Sequence, residues 1–303
     1  MQIAVVGAGG VGGYFGGVLA HSGVPVVFIA RGAQLRAIRT RGLRVEAPGG
    51  GFLLAPVDAT TDPAEIGPVD LVLLCVKTYD LAEAIEQCRP LVGPHTAVLT
   101  LQNGVEAPGL AAAVFGAAAV LPGLVYSEVS LREPGVIVQG DAPRRIVLGE
   151  SGGGSSARAQ QFAAAFAAAG VDAVVSPNIH GALWTKFCFI CALGGCTTLT
   201  RLPLGALLAD PEGRGLIELV MAEVRAVGLA HGVRFDADPV AQGMAIITSL
   251  PFQAKSSMQR DLERGGRLEV EALNGAVVRL GRARGVPAPA NQAIYAALRL
   301  AQP

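Results

Sequence analysis

Gly7, Gly9 and Gly12, with Ala8, Gly10 and Val11 filling the spacing, follow directly on the apolar run Ile3-Ala4-Val5-Val6 and precede the helix-compatible segment Gly13–His21. A loop of this kind does its chemistry with the backbone. Glycines permit a tight turn and let the chain approach a pyrophosphate, while the free N–H groups and positive dipole end of the following helix attract negative charge. In a chain with 40 glycines the spacing alone carries little. Its position between a strand and a helix is what points to a dinucleotide.

The second chemical signal is an arginine where a carboxylate is the usual feature. NAD-binding units place Asp or Glu about 20 residues beyond the glycines, at the end of the second strand, to bond the ribose. Here that place is Arg31, no acid precedes Glu46, and Arg36, Arg39, Arg41 and Arg44 share the span. A guanidinium binds a 2′-phosphate through two charge-assisted hydrogen bonds, so the reading is NADP (as NADPH) and not NAD or flavin. Only Arg31 has the place of a ligand; the other arginines read as a solvated helix face. Two further groups leave strand ends, where ligands of open α/β sheets bind. Lys77, after Leu71–Leu74, is positioned to reach ribose or phosphate, and Asn103, before Gly104, offers a donor and an acceptor at a turn.

Other chemistries find no support. The four histidines, His21, His95, His180 and His231, are far apart, so no metal is expected. Cys75, Cys88, Cys188, Cys191 and Cys196 are an odd set without an export signal. Although Cys188 and Cys191 form a CxxC, they lie in an apolar run and read as buried, reduced core residues. Net charge is zero and 51% of residues are hydrophobic, which argues against polyanion partners and disorder. No signal peptide or uninterrupted membrane span is evident, and a cytoplasmic location is expected.

These groups need a scaffold. Short Val/Ile/Leu-rich runs alternate with helical segments through the first half, the pattern of a parallel sheet covered on both faces. Strands are predicted over residues 2–6, 26–30, 69–76, 97–101, 120–128, 146–148 and 173–175, with an added hairpin over 43–57 and a helix over 157–169. After Ser176-Pro177 β-branched runs become rare and helical periodicity takes over, as in residues 211–230 and 267–284. The expected class is α/β, a Rossmann-type parallel-sheet domain (1–177, binding NADP) followed by a mostly α-helical domain (178–303, for substrate and dimerisation).

The motifs, in this order, resemble the ketopantoate reductases, the 2-dehydropantoate 2-reductases of pantothenate biosynthesis. The resemblance rests on the glycine loop, Arg31, Val76-Lys77, Gln102-Asn103-Gly104, Trp184-Thr-Lys186, Ser256-Ser257-Met258-Gln-Arg-Asp261 and Glu269-Val-Glu271-Ala-Leu-Asn274-Gly275. It implies NADPH-dependent reduction of a 2-oxo acid, with Lys186 as general acid and Glu269 holding the substrate hydroxyl and the lysine. It also implies Ser257 on the substrate carboxylate, Asn103 near nicotinamide and substrate, and a homodimer. The chemistry suits the residues, since hydride addition builds negative charge on oxygen that a desolvated ammonium stabilises and protonates. Glu269 otherwise reads as a helix-opening acid and Ser257 as a cap. The chain departs from the family at Ile190 and Gly194, where substrate-contacting asparagines are expected four and eight residues after the lysine. That leaves three alternatives: a more apolar 2-oxo acid, substitute hydrogen bonds from Thr197, Thr198 or Thr200, or an NADP-binding sensor without turnover.

Overall fold

The computed structural model describes residues 1–141 and 143–301. The chain folds as two compact units, Met1–Gln102 with Ala107–Ile179, and Asn103–Glu106 with the residues from His180 onward.

The first unit runs β1 (Ile3–Val6), α1 (Gly10–His21), β2 (Val26–Ile29), α2 (Gly32–Arg41), β3 (Leu43–Glu46), β4 (Phe52–Leu54), β5 (Ala59–Thr60), β6 (Leu71–Leu74), α3 (Leu81–Gln87), β7 (Ala97–Thr100), α4 (Ala107–Phe115), β8 (Val120–Tyr126), β9 (Val129–Glu133), β10 (Val136–Gln139), β11 (Arg145–Leu148), α5 (Ala157–Ala168) and β12 (Asp172–Val175). Eight strands form the main sheet in the order β12-β11-β8-β7-β6-β1-β2-β5. It is parallel except where β11 meets β8. Central strands are apolar on both faces because helices cover both. Ile3, Val5, Leu71, Leu73 and Leu99 enter one core with Phe15 and Phe166. Ala4, Val6, Val72, Leu74 and Val98 enter the other with Leu81 and Ile85. Chain order reverses between β1 and β6, which creates a switch point at their C-terminal ends.

The residues 43–57 do form a hairpin, β3 against β4, but it joins a separate four-stranded sheet in the order β4-β3-β10-β9. The β9–β10 hairpin, turning at Glu133-Pro134-Gly135, is absent from the sequence expectation, which stopped at residue 128. Its strands are short and only partly buried, so they carry a weak hydrophobic alternation. Helix α1 lies between the two sheets. A Cβ at Gly16 would stand 2.7 Å from Val5 and 2.8 Å from Phe28 of the main sheet, and one at Gly13 would stand 2.6 Å from Ile137 of the small one.

The second unit is helical: α6 (Ile179–Thr200), α7 (Leu204–Ala209), α8 (Pro211–Ala230), α9 (Pro239–Ser249), α10 (Ser257–Glu263), α11 (Asn274–Ala283) and α12 (Pro289–Leu300). Asp210 caps α8 by accepting from the Gly213 N–H at 2.7 Å, with Pro211 at the first helical position. Although α6 is long and apolar enough to cross a membrane, most of that stretch is buried inside the protein. Phe187, Cys188, Cys191, Ala192 and Cys196 are fully buried, and burial pushes the Cys188 and Cys196 thiols up to about 12. They behave as small apolar core residues.

A buried polar network ties this core together. The Glu223 carboxylate accepts from the backbone N–H groups of Ala290 and Asn291 at the start of α12, and from Asn291 Nδ2 at 2.8 Å. Asn274 Nδ2 donates to Asn291 Oδ1 at 2.9 Å. A carboxylate at a helix N-terminus is favourably placed, which offsets the cost of burying it.

Candidate functional site

The glycine loop sits at the switch point. Gly7 has φ +96°, and any Cβ there would stand 2.8 Å from the Val76 amide nitrogen, so the segment leaving β6 and the loop pass each other only because this residue is glycine. A Cβ at Gly12 would collide with the Gly7 carbonyl oxygen, whereas Gly9 faces open space. Gly9 is the N-cap of α1, and the first intrahelical bond runs from the Gly13 N–H to Gly9 O at 2.7 Å. The first-turn N–H groups of Gly10, Val11 and Gly12 therefore project from the helix end without intrahelical partners, and no acid stands in that turn. This cradle fits a pyrophosphate, and side chains at these positions would fill it.

A residue that the sequence does not single out steadies the loop. Gln34 of α2 donates from Nε2 to Ala8 O at 2.6 Å and accepts from the Gly135 N–H at 2.8 Å. It thus ties the glycine loop to the turn of the small sheet. Nothing in its sequence context distinguishes it from an ordinary helix-surface glutamine.

Arg31 is the N-cap residue of α2, 67% exposed, at the end of β2 as expected. It is paired: Nη2 lies 2.9 Å from Asp80 Oδ2 and Nη1 3.7 Å from Glu83 Oε2. Among the other arginines, Arg39 donates to Ala59 O and Arg41 to Pro134 O, so both serve the fold. Lys77 leaves β6 half-buried, heading the turn Thr78–Asp80 that leads to α3.

In the second unit Lys186, on α6, is buried, and its Nζ donates to Asn103 Oδ1 at 2.9 Å. Burial pushes this ammonium down to about 8, and the negative charge of Glu269 pulls it the other way. Asn103 comes from the short segment after β7 that belongs with this unit. Gly104 (φ +96°) makes that placement possible, because a Cβ there would stand 2.8 Å from Ala272 O. The Asn-Gly pair is thus more than a generic turn; it packs Asn103 beside the segment carrying Glu269.

Two expectations about local structure change here. Glu269 does not open a helix: the helix expected over 267–284 begins at Asn274, and Glu269 lies buried in the preceding turn. The Glu269 carbonyl accepts from the Ala272 and Leu273 N–H groups, and the Val270 carbonyl from the Gly275 N–H, which folds 269–273 back on itself. Ser257 does not cap its helix. Buried Ser256 does, accepting from the Gln259 N–H at 3.0 Å, and Ser257 is exposed in the first turn. The Ser256-x-x-Gln259 spacing was the legible signal for this cap.

The hydroxyls of the threonines following Lys186 are engaged within the helical unit. Thr197 and Thr198 are buried against Ser256, with Thr197 Oγ1 at 3.0 Å, and Thr200 donates to Cys196 O. Gly194 is buried, with its missing side chain directed at Met258 Cε and Leu273 Cδ1, 3.4 and 3.5 Å from where a Cβ would stand. Ile190 is half-buried one turn earlier. No cluster of metal-ligating side chains exists among the described residues.

A switch-point glycine cradle with an arginine at the second strand, and a buried lysine in a helical unit, define a dinucleotide-dependent oxidoreductase. Residues 3–153 match the family model described as ketopantoate reductase PanE/ApbA, and residues 178–302 match that of its C-terminal part. A 2-dehydropantoate 2-reductase of Mesorhizobium japonicum is 35% identical over 99% of this chain and 97% of its own length. One from Halobacterium salinarum is 32% identical over 100% and 99%. The crystal structure of 2-dehydropantoate 2-reductase from Geobacter metallireducens superimposes with a TM-score of 0.93 at 33% identity, covering all of both chains. The chain belongs to the ketopantoate reductase family. It is an oxidoreductase, and its cofactor is NADPH.

Proposed function

We propose that the protein reduces 2-dehydropantoate to pantoate in pantothenate biosynthesis, with Lys186 as the general acid. The observation that carries this is the buried Lys186 ammonium on Asn103 Oδ1, in a chain related along its whole length to reductases of that substrate. NADPH, when bound, supplies the hydride. The first unit, Met1–Gln102 with Ala107–Ile179, where the sequence led to a domain over 1–177, is the cofactor domain. There the backbone of Gly7, Ala8, Gly9, Gly10, Val11 and Gly12 holds the pyrophosphate, Arg31 receives the 2′-phosphate, and Lys77 reaches ribose or phosphate. The second, Asn103–Glu106 with the residues from His180 onward, where the sequence led to a domain over 178–303, is the substrate and dimerisation domain.

There Lys186 stabilises the charge developing on the carbonyl oxygen and gives it a proton. A pKa of about 8 suits both halves of the task, because the lysine is charged at neutral pH yet releases its proton readily. Asn103 fixes the ammonium and contacts nicotinamide and substrate. Glu269 keeps the lysine protonated and holds the substrate hydroxyl, and Ser257 binds the carboxylate.

One observation favours a second reading. At the two positions four and eight residues after Lys186, α6 carries Ile190 and Gly194, with Met258 and Leu273 at the latter, so neither position offers a polar side chain. A site lacking those hydrogen bonds selects weakly for a hydroxylated substrate and accepts a more apolar 2-oxo acid. Turnover of NADPH with 2-dehydropantoate and a panel of straight, branched and aromatic 2-oxo acids decides between them. Highest kcat/KM for 2-dehydropantoate upholds the first reading, and a clear preference for an apolar acid replaces it. NADPH binding without turnover would leave a sensor. A cytoplasmic homodimer completes the proposal, and light scattering tests its mass.

A further inference from the structure

Arg31 is the cationic group at the end of β2, yet it does not stand alone. Asp80 Oδ2 is 2.9 Å from Nη2, and Glu83 Oε2 is 3.7 Å from Nη1. The two acids lie three residues apart where the turn after Lys77 runs into α3. Glu83 is further oriented by Gln87, whose Nε2 donates to its Oε1 at 2.9 Å. One guanidinium facing two carboxylates means that the charge of Arg31 itself is already countered within the protein.

We propose that Asp80 and Glu83 are specificity determinants that limit the enzyme's preference for NADPH over NADH. This rests on the reading above that Arg31 receives the 2′-phosphate. A phosphate arriving at Arg31 must share its guanidinium with Asp80 and sit within reach of two negative charges. A ribose hydroxyl meets no such repulsion, and a carboxylate is an acceptor for it. The acids therefore act against the phosphate alone, through charge, and the enzyme retains useful affinity for NADH. Because all three side chains are partly or largely exposed, the effect is modest per residue and screened by salt.

The test is direct binding of NADPH and of NADH, measured by titration calorimetry on the full chain without substrate. The proteins compared are the parent, Asp80→Asn, Glu83→Gln, the double variant and Arg31→Ala. Each acid-to-amide change keeps side-chain shape and removes one charge. The NADPH-to-NADH affinity ratio should rise roughly threefold in each single variant and about tenfold in the double variant. NADH affinity itself should stay nearly constant, and the gain should shrink at high salt. A double variant with the parental ratio, or one in which both cofactors gain equally, overturns the proposal, since the acids would then act on the loop and not on the phosphate. Arg31→Ala separates the two layers. If it leaves the ratio unchanged, the assignment of Arg31 fails and this inference with it. If it collapses the ratio while the amide variants do not raise it, only this inference fails.

Discussion

Replacing Glu269 by Gln should move the alkaline limit of catalysis downward in pH while sparing the rate in acid. Lys186 sits under two opposed influences, burial that pushes its pKa down to about 8 and the Glu269 charge that raises it. Removing the charge leaves burial alone, and an opposite charge within a few ångströms is worth about 1–3 in pKa. The general acid must be protonated to work, so kcat/KM for reduction is level below the Lys186 pKa and falls above it. With the midpoint near 8, about half of the enzyme is competent at pH 8, and a midpoint lowered by about 1 leaves roughly a tenth. The expected loss is therefore about fivefold at pH 8 and nearly nothing at pH 6. The assay is a pH profile of kcat/KM from loss of reduced-nicotinamide absorbance, with Lys186→Ala alongside. That variant should lose the limb altogether and be slower by roughly 10²–10⁴-fold. A uniform drop across pH with an unmoved midpoint would refute the argument, because Glu269 would then contribute contact and not charge.

The same lysine is expected to cost stability. Its folded pKa lies below that of the unfolded chain, so the protonated form is disfavoured by folding below about pH 8, and this penalty fades as pH rises toward 10.5. Lys186→Met should consequently raise the thermal midpoint at pH 7, by about 2–4 °C for each kcal/mol relieved, while slowing turnover as strongly as Lys186→Ala; a lowered midpoint would contradict this. Gln34→Met removes two hydrogen bonds of about 1 kcal/mol each that hold the glycine loop. NADPH binding measured by calorimetry should weaken by up to about thirtyfold, with kcat at saturation unchanged; a fall in kcat alone would contradict it. Ser256→Ala removes the α10 cap and its contact with Thr197. It should lower stability in urea by about 1–2 kcal/mol, and an unchanged midpoint would count against it.

The parts of the cofactor unit set by local chemistry were readable from sequence. Strand runs such as 26–30 and 97–101 came within a residue of β2 and β7, because strands buried on both faces are continuous in hydrophobicity. The Asp210-Pro211 start of α8 was legible for a similar reason, since a cap is encoded by adjacent residues. What escaped were features fixed by partners distant in sequence. Gln34 holds Ala8 and Gly135, which lie 26 and 101 residues away, and Arg31 meets acids 49 and 52 positions on. Helical periodicity through 267–284 concealed the turn at Glu269, because apolar spacing persists when the backbone leaves the helix. Which serine caps α10 was decided by burial against Thr197, which a single sequence does not display.

Helix α1 gives the cofactor loop an unusual mechanical setting. With Gly13 close against the small sheet and Gly16 against the main one, it has no slack toward either. An enlarged residue at Ile137, remote in sequence from every motif, would press on α1 and tilt the N–H groups at its start. Loss of nucleotide affinity should therefore arise from swaps in the small sheet that leave the loop itself untouched, and a survey confined to the glycine motif would overlook them.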